Sequence, residues 1–310
     1  MTGTILSSAT HRRTATAVVL TAALTGVLAG CGAPSTTTSA ASAPAAKTAG
    51  ASPATATGSS LHMITNQGHR LAFHVTAGHL PAIVLDAGGG LDSSYWKNIV
   101  PALAKKTGSE IITYDRAGMG ASEAVPGPWK VQNAVSDLRA GLTALGATHD
   151  VVLVSHSEAG EIATYLTREH PGQVAGAVLV DASLPEFATD AEIARVAAAT
   201  QARVDALKGH ATTKADRQLL AVAANFVPDQ RAYHKIAWPA AVPAILIESA
   251  QTPFPTSATD ARAWRDAQAE FAHAAPNRQL VVAANSSHDI PLDRPDIVEA
   301  QIEAMVKTVR

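Results

Sequence analysis

The sequence predicts an α/β fold in which a mostly parallel central sheet is flanked by helices. Short runs of β-branched and aliphatic residues, typical of strands buried on both faces, recur along the chain and alternate with longer amphipathic segments typical of helices. Two of these runs, 81–85 and 151–154, are followed at once by small residues. The alternation predicts parallel strands joined by right-handed crossovers.

The composition is that of an ordinary globular chain. Its 310 residues include 24 basic and 26 acidic side chains, which leaves a formal net charge of −2, and 47% are hydrophobic. Such a balance argues against a nucleic-acid partner. Once the N-terminal segment is set aside, the remaining length suits one large α/β domain with an insertion.

The N-terminus has the pattern of an export signal. Basic residues at 11–13 precede an uncharged apolar run over 15–29, which is too short for a permanent transmembrane helix. The run ends Leu28-Ala29-Gly30-Cys31, which resembles a bacterial lipoprotein signal. The resemblance implies cleavage of residues 1–30, lipid attachment at Cys31 and anchoring to the outer face of the cell membrane. The alternative is an ordinary signal peptide and a secreted protein, but Cys31 is the single cysteine of the chain.

A tether is predicted over residues 31–60. This segment is built from Ala, Ser, Thr, Pro and Gly with one charge, Lys47, and it has no large apolar residue with which to form a core. We expect it to be disordered and to connect the membrane to a folded domain over 61–310.

The elements of that domain follow in order. Two segments around an Asn66-Gln67-Gly68 turn predict an opening hairpin. Strand patterns, in chain order, cover 61–65, 70–76, 81–85, 111–114, 151–154, 174–180, 242–247 and 279–283. Helical patterns cover 95–106, 130–145 and 260–273, and only helical patterns occupy 185–238. The last segment is therefore a predicted helical insertion after the sixth strand.

Ser157 is the candidate nucleophile. The buried strand 151–154 passes through Ser155, His156 and Ser157 directly into a helical pattern. Such a sharp turn forces strained backbone at the serine and requires small flanking residues, a requirement that Ser155 and Ala159 meet. A serine that merely caps a helix after a buried strand is the alternative interpretation.

The combined pattern resembles the α/β-hydrolase family. The serine turn is similar to the family's G-x-S-x-G motif with Ser155 and Ala159 replacing the glycines, and 115–122 matches its D-x-x-G-x-G-x-S segment. His288 lies on the loop after the last predicted strand, where the family places its base. The resemblance implies an α/β-hydrolase fold, a helical cap over 185–238 that selects substrates, and a Ser157–His288 pair.

The glycine-rich loop 86–90 follows the strand 81–85. In the family this loop supplies one backbone N–H of the oxyanion hole, which the resemblance assigns to Gly89, with the Glu158 N–H as the second donor. A dinucleotide-binding loop is excluded because the G-x-G-x-x-G spacing is absent.

The carboxylate that orients His288 is the hardest residue to assign. Asp181 ends the strand 174–180, and some family members take their acid from that position. Glu248 follows the strand where the family usually places the acid, and Asp260 is a third candidate. We favour Asp181.

Two residues beside the nucleophile have structural interpretations. Glu158 carries an unusual charge for its position, and we expect it to pair with Arg116, although it could instead favour cationic substrates. His156 is common in the family at this position and is expected to pack away from the chemistry.

The predicted activity is hydrolysis of an ester-like bond in a small molecule through a covalent acyl-enzyme. Alternatives are another acyl-transfer or carbon–carbon bond hydrolase with the same residues, and a binding lipoprotein that retains the fold without catalysis. No metal or organic cofactor is implied, and the sequence indicates no oligomeric state. Four histidines near the hairpin have spacings that fit no metal pair: His62, His69, His74 and His79.

Overall fold

The computed structural model describes residues 58–310. The predicted export signal, Cys31 and nearly all of the predicted tether lie outside these residues. Within 58–310, no helix combines the length and the apolar character needed to cross a bilayer.

An eight-stranded sheet forms the centre of the described chain. In spatial order the strands are β1-β2-β4-β3-β5-β6-β7-β8, and of these only β2 runs against its neighbours. Their bounds are Ser60–Asn66, His69–Thr76, His79–Asp86, Ser109–Asp115, Val151–His156, Val174–Val180, Ala244–Ser249 and Arg278–Ala283 for β1 to β8. The mostly parallel sheet that the sequence predicts is confirmed.

Helices cover both faces of this sheet. From α1 to α9 they span Val100–Thr107, Val131–Ala144, Ala159–Glu169, Asp190–Leu207, Lys214–Ala223, Phe226–Tyr233, Ala258–His273, Ile290–Asp293 and Pro295–Val309. Alternate strand residues enter two separate cores: Val84 and Leu153 pack on the side of α2 and α3, whereas Val152 and Val154 pack on the side of α1 and α9. Burial on both faces explains why the strands are apolar throughout.

The predicted hairpin is confirmed, and one predicted helix differs. β1 pairs with β2 in antiparallel register around Gln67 and Gly68, both of which have positive φ. The single helix predicted over 95–106 is instead a short 3₁₀ turn at Ser93–Trp96 followed by α1. Pro101 lies in the first turn of α1, where its missing N–H is tolerated, and a proline there starts a helix more readily than it continues one.

The strand order creates a crevice at the carboxyl ends of β3 and β5. These two strands are neighbours, but the chain leaves β3 toward β4 and leaves β5 toward β6 on the other side. Ligands of open α/β sheets bind at such a switch point. The glycine loop 86–90 and Ser157 therefore meet there. The segment 185–238 contributes α4, α5 and α6 between β6 and β7.

Candidate active site

The backbone at Ser157 is strained as the sequence predicts. Its φ is 55°, a left-handed value that residues other than glycine adopt rarely, and its carbonyl accepts hydrogen bonds from the Gly160 and Ser183 amides at 3.0 and 2.9 Å. Within this turn, the backbone is most crowded at Gly160, where an added Cβ would be 2.4 Å from the Ser183 carbonyl oxygen. The turn thus demands a glycine one position beyond the predicted small residue Ala159, because α3 begins against the chain that follows β6.

The structure brings Ser157, His288 and Asp181 together. His288 Nδ1 lies 2.7 Å from Asp181 Oδ2, and His288 Nε2 lies 2.9 Å from Ser157 Oγ. Because an ionised carboxylate only accepts hydrogen bonds, Nδ1 carries the proton and Nε2 is left to accept from the serine hydroxyl. Serine at the end of β5, aspartate at the end of β6 and histidine on the loop after β8 thus form one hydrogen-bonded chain.

Asp181 is held as a carboxylate. It is fully buried, and besides His288 it accepts hydrogen bonds from Ser249 Oγ at 2.5 Å and from Trp264 Nε1 at 2.8 Å. Burial alone would raise the pKa of Asp181, but the hydrogen bonds from His288, Ser249 and Trp264 lower that pKa below its ordinary value. The side chain can therefore orient the imidazole and balance a positive charge on it.

The two other candidate acids lie elsewhere. Glu248 Oε1 is 3.7 Å from Arg265 Nε, and Asp260 Oδ1 accepts a hydrogen bond from Arg195 Nε at 2.7 Å. Within residues 58–310 neither carboxyl group contacts His288. Of the three candidates, the structure places only Asp181 beside the imidazole.

The glycine loop packs directly on the nucleophile. A Cβ built at Gly88 would lie 3.2 Å from Ser157 Cβ, and one built at Gly89 would lie 2.9 Å from Glu158 Oε2. Neither the Gly89 amide nor the Glu158 amide donates a hydrogen bond to another group of the described chain. Both N–H groups belong to the loop and the turn that pack together at Ser157 and have no acceptor in the described chain, as donors of an oxyanion hole require.

Arg116 contacts this glycine loop and two carboxyl groups beside it. Its guanidinium donates a hydrogen bond of 2.5 Å to the Gly88 carbonyl and lies 3.4 Å from Glu158 and 3.6 Å from Asp86. The predicted Arg116–Glu158 ion pair is therefore confirmed. Burial raises the pKa of Asp86 to about 6, and Arg116 partly offsets that rise. A single buried cation is shared between two carboxyl groups.

Gln218 joins the helical insertion to the glycine loop. From α5, its Oε1 accepts a hydrogen bond from the Gly90 amide at 2.8 Å, and its Nε2 donates to Glu158 Oε1 at 3.0 Å. One side chain of the insertion therefore contacts both sides of the crevice.

Two cavities open from the crevice. The smaller, about 40 Å³, is lined by Ser157 together with residues of α3, α6 and α7. The larger, about 440 Å³, lies between Gly89, Gly90 and the mostly apolar inner faces of α4 to α6. The segment predicted as a cap, 185–238, therefore supplies much of the lining of both cavities.

The sequence suggested that His156 packs away from the chemistry. In the structure it instead lies against His288. Its ring centroid lies 4.8 Å from that of His288, and its Nε2 lies 3.0 Å from the His288 carbonyl oxygen. Burial lowers the pKa of His156 to about 3, so the ring is neutral at physiological pH and donates through Nε2–H. His156 is therefore a positioning residue for the histidine loop.

Replacing His156 by phenylalanine is expected to lower kcat about tenfold and the melting temperature by only about 2 to 4 °C. The aromatic ring would still fill the space beside Tyr95, but the hydrogen bond to the His288 carbonyl would be lost, a loss of about 1 kcal/mol in a typical buried pair. Steady-state kinetics with a chromogenic ester, paired with thermal unfolding, would measure both quantities. Unchanged kcat would show that the bond does not position His288.

Several residues of the site were not identified from the sequence. Trp264 and Ser249 hold Asp181, Gln218 holds the glycine loop, and Tyr95 donates to Asp289 at 3.1 Å. These partners lie many positions away along the chain and belong to no motif. Gly160, by contrast, could have been identified as part of the turn, because a glycine three residues after the serine is visible in the sequence.

Comparison with known proteins connects this geometry to a family and to solved folds. A model described as "Alpha/beta hydrolase family" matches residues 83–301. The esterase EaEST of Exiguobacterium antarcticum superposes with a TM-score of 0.58 at 17% identity, covering 79% of this chain and 98% of its own. A thermophilic esterase of Thermogutta terrifontis gives a TM-score of 0.54 at 20% identity, covering 81% and 99%. At these identities the likeness concerns the fold.

Curated relatives match a smaller share of this chain than these two solved structures do. The uncharacterised protein YqjL of Bacillus subtilis is 26% identical over 221 residues, which is 71% of this chain and 81% of YqjL. A non-heme haloperoxidase of Rhodococcus erythropolis is 36% identical over 104 residues, or 33% of this chain and 37% of the haloperoxidase. The match to the probable transporter efuK of Hormonema carpetanum is 32% identical and covers 33% of this chain and 15% of that protein.

Proposed function

Since this chain belongs to the alpha/beta hydrolase family, we propose that it is a serine hydrolase that cleaves an ester bond of a small molecule. Membership of the family supports hydrolase activity in general. The assignment of a serine nucleophile, and with it acyl-transfer chemistry on an ester, is supported by one observation, the unbroken hydrogen-bond chain from Ser157 through His288 to Asp181. A serine hydroxyl is too weakly acidic to attack at neutral pH unless a base removes its proton as the new bond forms.

The first half of the reaction forms an acyl-enzyme. His288 Nε2 takes the proton of the Ser157 hydroxyl while Oγ bonds to the carbonyl carbon of the ester. The negative charge that develops on the carbonyl oxygen is stabilised by the free amides of Gly89 and Glu158. When the tetrahedral intermediate collapses, the bond to the alcohol oxygen breaks, and His288 returns the proton to that oxygen.

The second half repeats the same steps with water. His288 Nε2 accepts a proton from a water molecule as the water oxygen attacks the acyl carbon, and the proton then returns to Ser157 Oγ as the acid leaves. Asp181 stabilises the imidazolium in both halves because its carboxylate faces Nδ1 at 2.7 Å. Net consumption is one ester and one water, and the products are one acid and one alcohol.

The cavities suit a small-molecule ester. The larger one, about 440 Å³, is lined mainly by aliphatic residues of α4 to α6 and extends to the glycine loop at Gly89. Pockets of this size and character bind compact organic ligands. The predicted role of 185–238 in substrate selection is part of this proposal.

A fluorophosphonate probe tests the proposal directly. Such probes phosphonylate an activated serine and lose fluoride, so the protein should gain one probe-derived group on Ser157, identified by peptide mass spectrometry. The His288→Ala variant should label far more slowly, since the hydroxyl would lose its base. A folded wild-type protein that takes up no label would overturn the proposed function.

A further inference from the structure

The small cavity beside Ser157 has an acidic and aromatic lining. Its carboxyl groups come from Glu158, Glu161 and Asp229, and none of the described residues that line it is basic. Three of its rings, those of Phe187, Phe254 and Trp264, pack on one another with centroids 5.0 to 5.7 Å apart. Both features attract positive charge, since aromatic faces bind cations as carboxylates do.

Glu161 is the carboxyl group with an incomplete set of partners. It lies one helical turn after Ser157 on α3 and is 4% exposed. Its Oε1 accepts a hydrogen bond of 2.7 Å from Gln230 Nε2, but its Oε2 is buried and has no hydrogen-bond partner within residues 58–310. A buried acceptor without a partner costs free energy, and a ligand donor in the cavity would remove that cost.

Within residues 58–310, no lysine, arginine or histidine forms an ion pair with Glu161. The nearby guanidinium of Arg116 is engaged by Glu158, Asp86 and the Gly88 carbonyl. Charged or titratable groups also face Glu161 from α3, α6 and the loop after β4, namely Glu158, Tyr165, Asp229, Tyr233 and Arg116. Burial keeps the two phenols uncharged, and when Glu161 is ionised it forms, with Glu158 and Asp229, three carboxylates against the one cation of this set, Arg116. The local charge balance therefore favours an added positive group.

From this geometry we infer that Glu161 binds a cationic group of the substrate, so that the preferred substrates are esters carrying a protonated amine. The inference rests on the proposed esterase function, because it names the substrate class for the same site. The amine's N–H would donate to Glu161 Oε2, and its alkyl substituents would contact the rings of Phe254 and Trp264.

Proton exchange should accompany this binding. Burial, reinforced by Glu158, raises the pKa of Glu161 to about 8, so the carboxyl group is largely protonated at neutral pH in the free protein. An ammonium binds the ionised form and must displace that proton. Affinity for the cationic ester should therefore rise as the pH increases from about 6 to about 8.

The test compares two esters of the same shape, 2-(dimethylamino)ethyl acetate and its carbon isostere 3-methylbutyl acetate. Near neutral pH the wild-type protein should prefer the amine by about tenfold in kcat/KM, mainly through KM. Glu161→Gln, which keeps a partner for Gln230, should bring the ratio close to one by raising KM for the amine ester. Glu169→Gln, an exposed site on the same helix, should leave the ratio unchanged.

The ratio of the two kcat/KM values distinguishes failure of the cation site from failure of the esterase activity. Both esters use Ser157 and His288, so the pH dependence of the triad cancels, and the ratio should rise with pH in wild type but stay flat in Glu161→Gln. A wild-type ratio of one or less overturns the cation site whether or not the variant folds, as does a high ratio that Glu161→Gln preserves. Hydrolysis of neither ester, together with no probe labelling, overturns the proposed function instead.

Discussion

Replacing Ser157 by alanine is expected to reduce ester turnover by roughly 10⁶-fold, leaving about a 10³- to 10⁴-fold acceleration over the uncatalysed reaction from the glycine loop and substrate binding. The variant would retain the oxyanion loop and the cavities, but His288 Nε2 would face a methyl group in place of the hydroxyl now 2.9 Å away. Steady-state hydrolysis of a chromogenic acetate ester would measure the loss. Substrate binding should persist, because the lining of the cavities is unchanged.

Ser183→Ala is the matched control for this experiment. Ser183 lines the same cavity as Ser157, and the hydrogen bonds of the turn use its backbone groups, which the substitution retains. Its turnover should stay within a small factor of wild type. If Ser157→Ala kept more than about a hundredth of the wild-type rate, the reaction would have to proceed without a serine nucleophile.

Replacing Asp181 by asparagine is expected to lower turnover about 10⁴-fold. The amide is neutral and can donate toward Nδ1, which would favour the imidazole tautomer that cannot accept the Ser157 proton. The buried site would also lose the charge that balances an imidazolium. Initial rates over a range of ester concentrations would show a fall in kcat with a smaller change in KM.

Glu248→Gln is the informative partner of that variant. Glu248 lies at the end of β7. Burial, and after it the charge of Asp181, raises the pKa of Glu248, and its carboxylate faces Arg265 and not His288. Its turnover should remain within a few-fold of wild type. The reverse pattern, with Asp181→Asn active and Glu248→Gln inactive, would assign the acid to Glu248.

Local sequence patterns were sufficient for the strands, the hairpin and the strained serine. Each depends on the spacing of apolar residues or on a turn within a few positions, so Val151–His156 and the turn at Ser157 follow from adjacent residues. The position of His288 follows from the order of strands, because parallel strands bring their carboxyl ends to one edge. The choice of Asp181 among three carboxyl groups depended on that order together with the family resemblance.

The remaining features depend on contacts that no local pattern encodes. Trp264 reaches Asp181 across 83 positions, and Gln230 reaches Glu161 across 69. The separation of the 3₁₀ turn from α1, near Pro101, could not be predicted because the residues on both sides of it are apolar and helical in pattern. His156 was assigned to packing by analogy, whereas its role depends on which loop lies against its ring.

The two bonds of Gln218 bear on how new specificities could arise on this scaffold. An insertion after the sixth strand is a natural place for exchange, since it begins and ends at neighbouring strands β6 and β7. Here, however, the Gly90 amide and the Glu158 carboxylate share one amide side chain from α5. A transplanted insertion would reshape the cavity and would also remove both bonds at once. Grafts that reproduce this amide should therefore retain activity more often than grafts chosen for cavity shape alone.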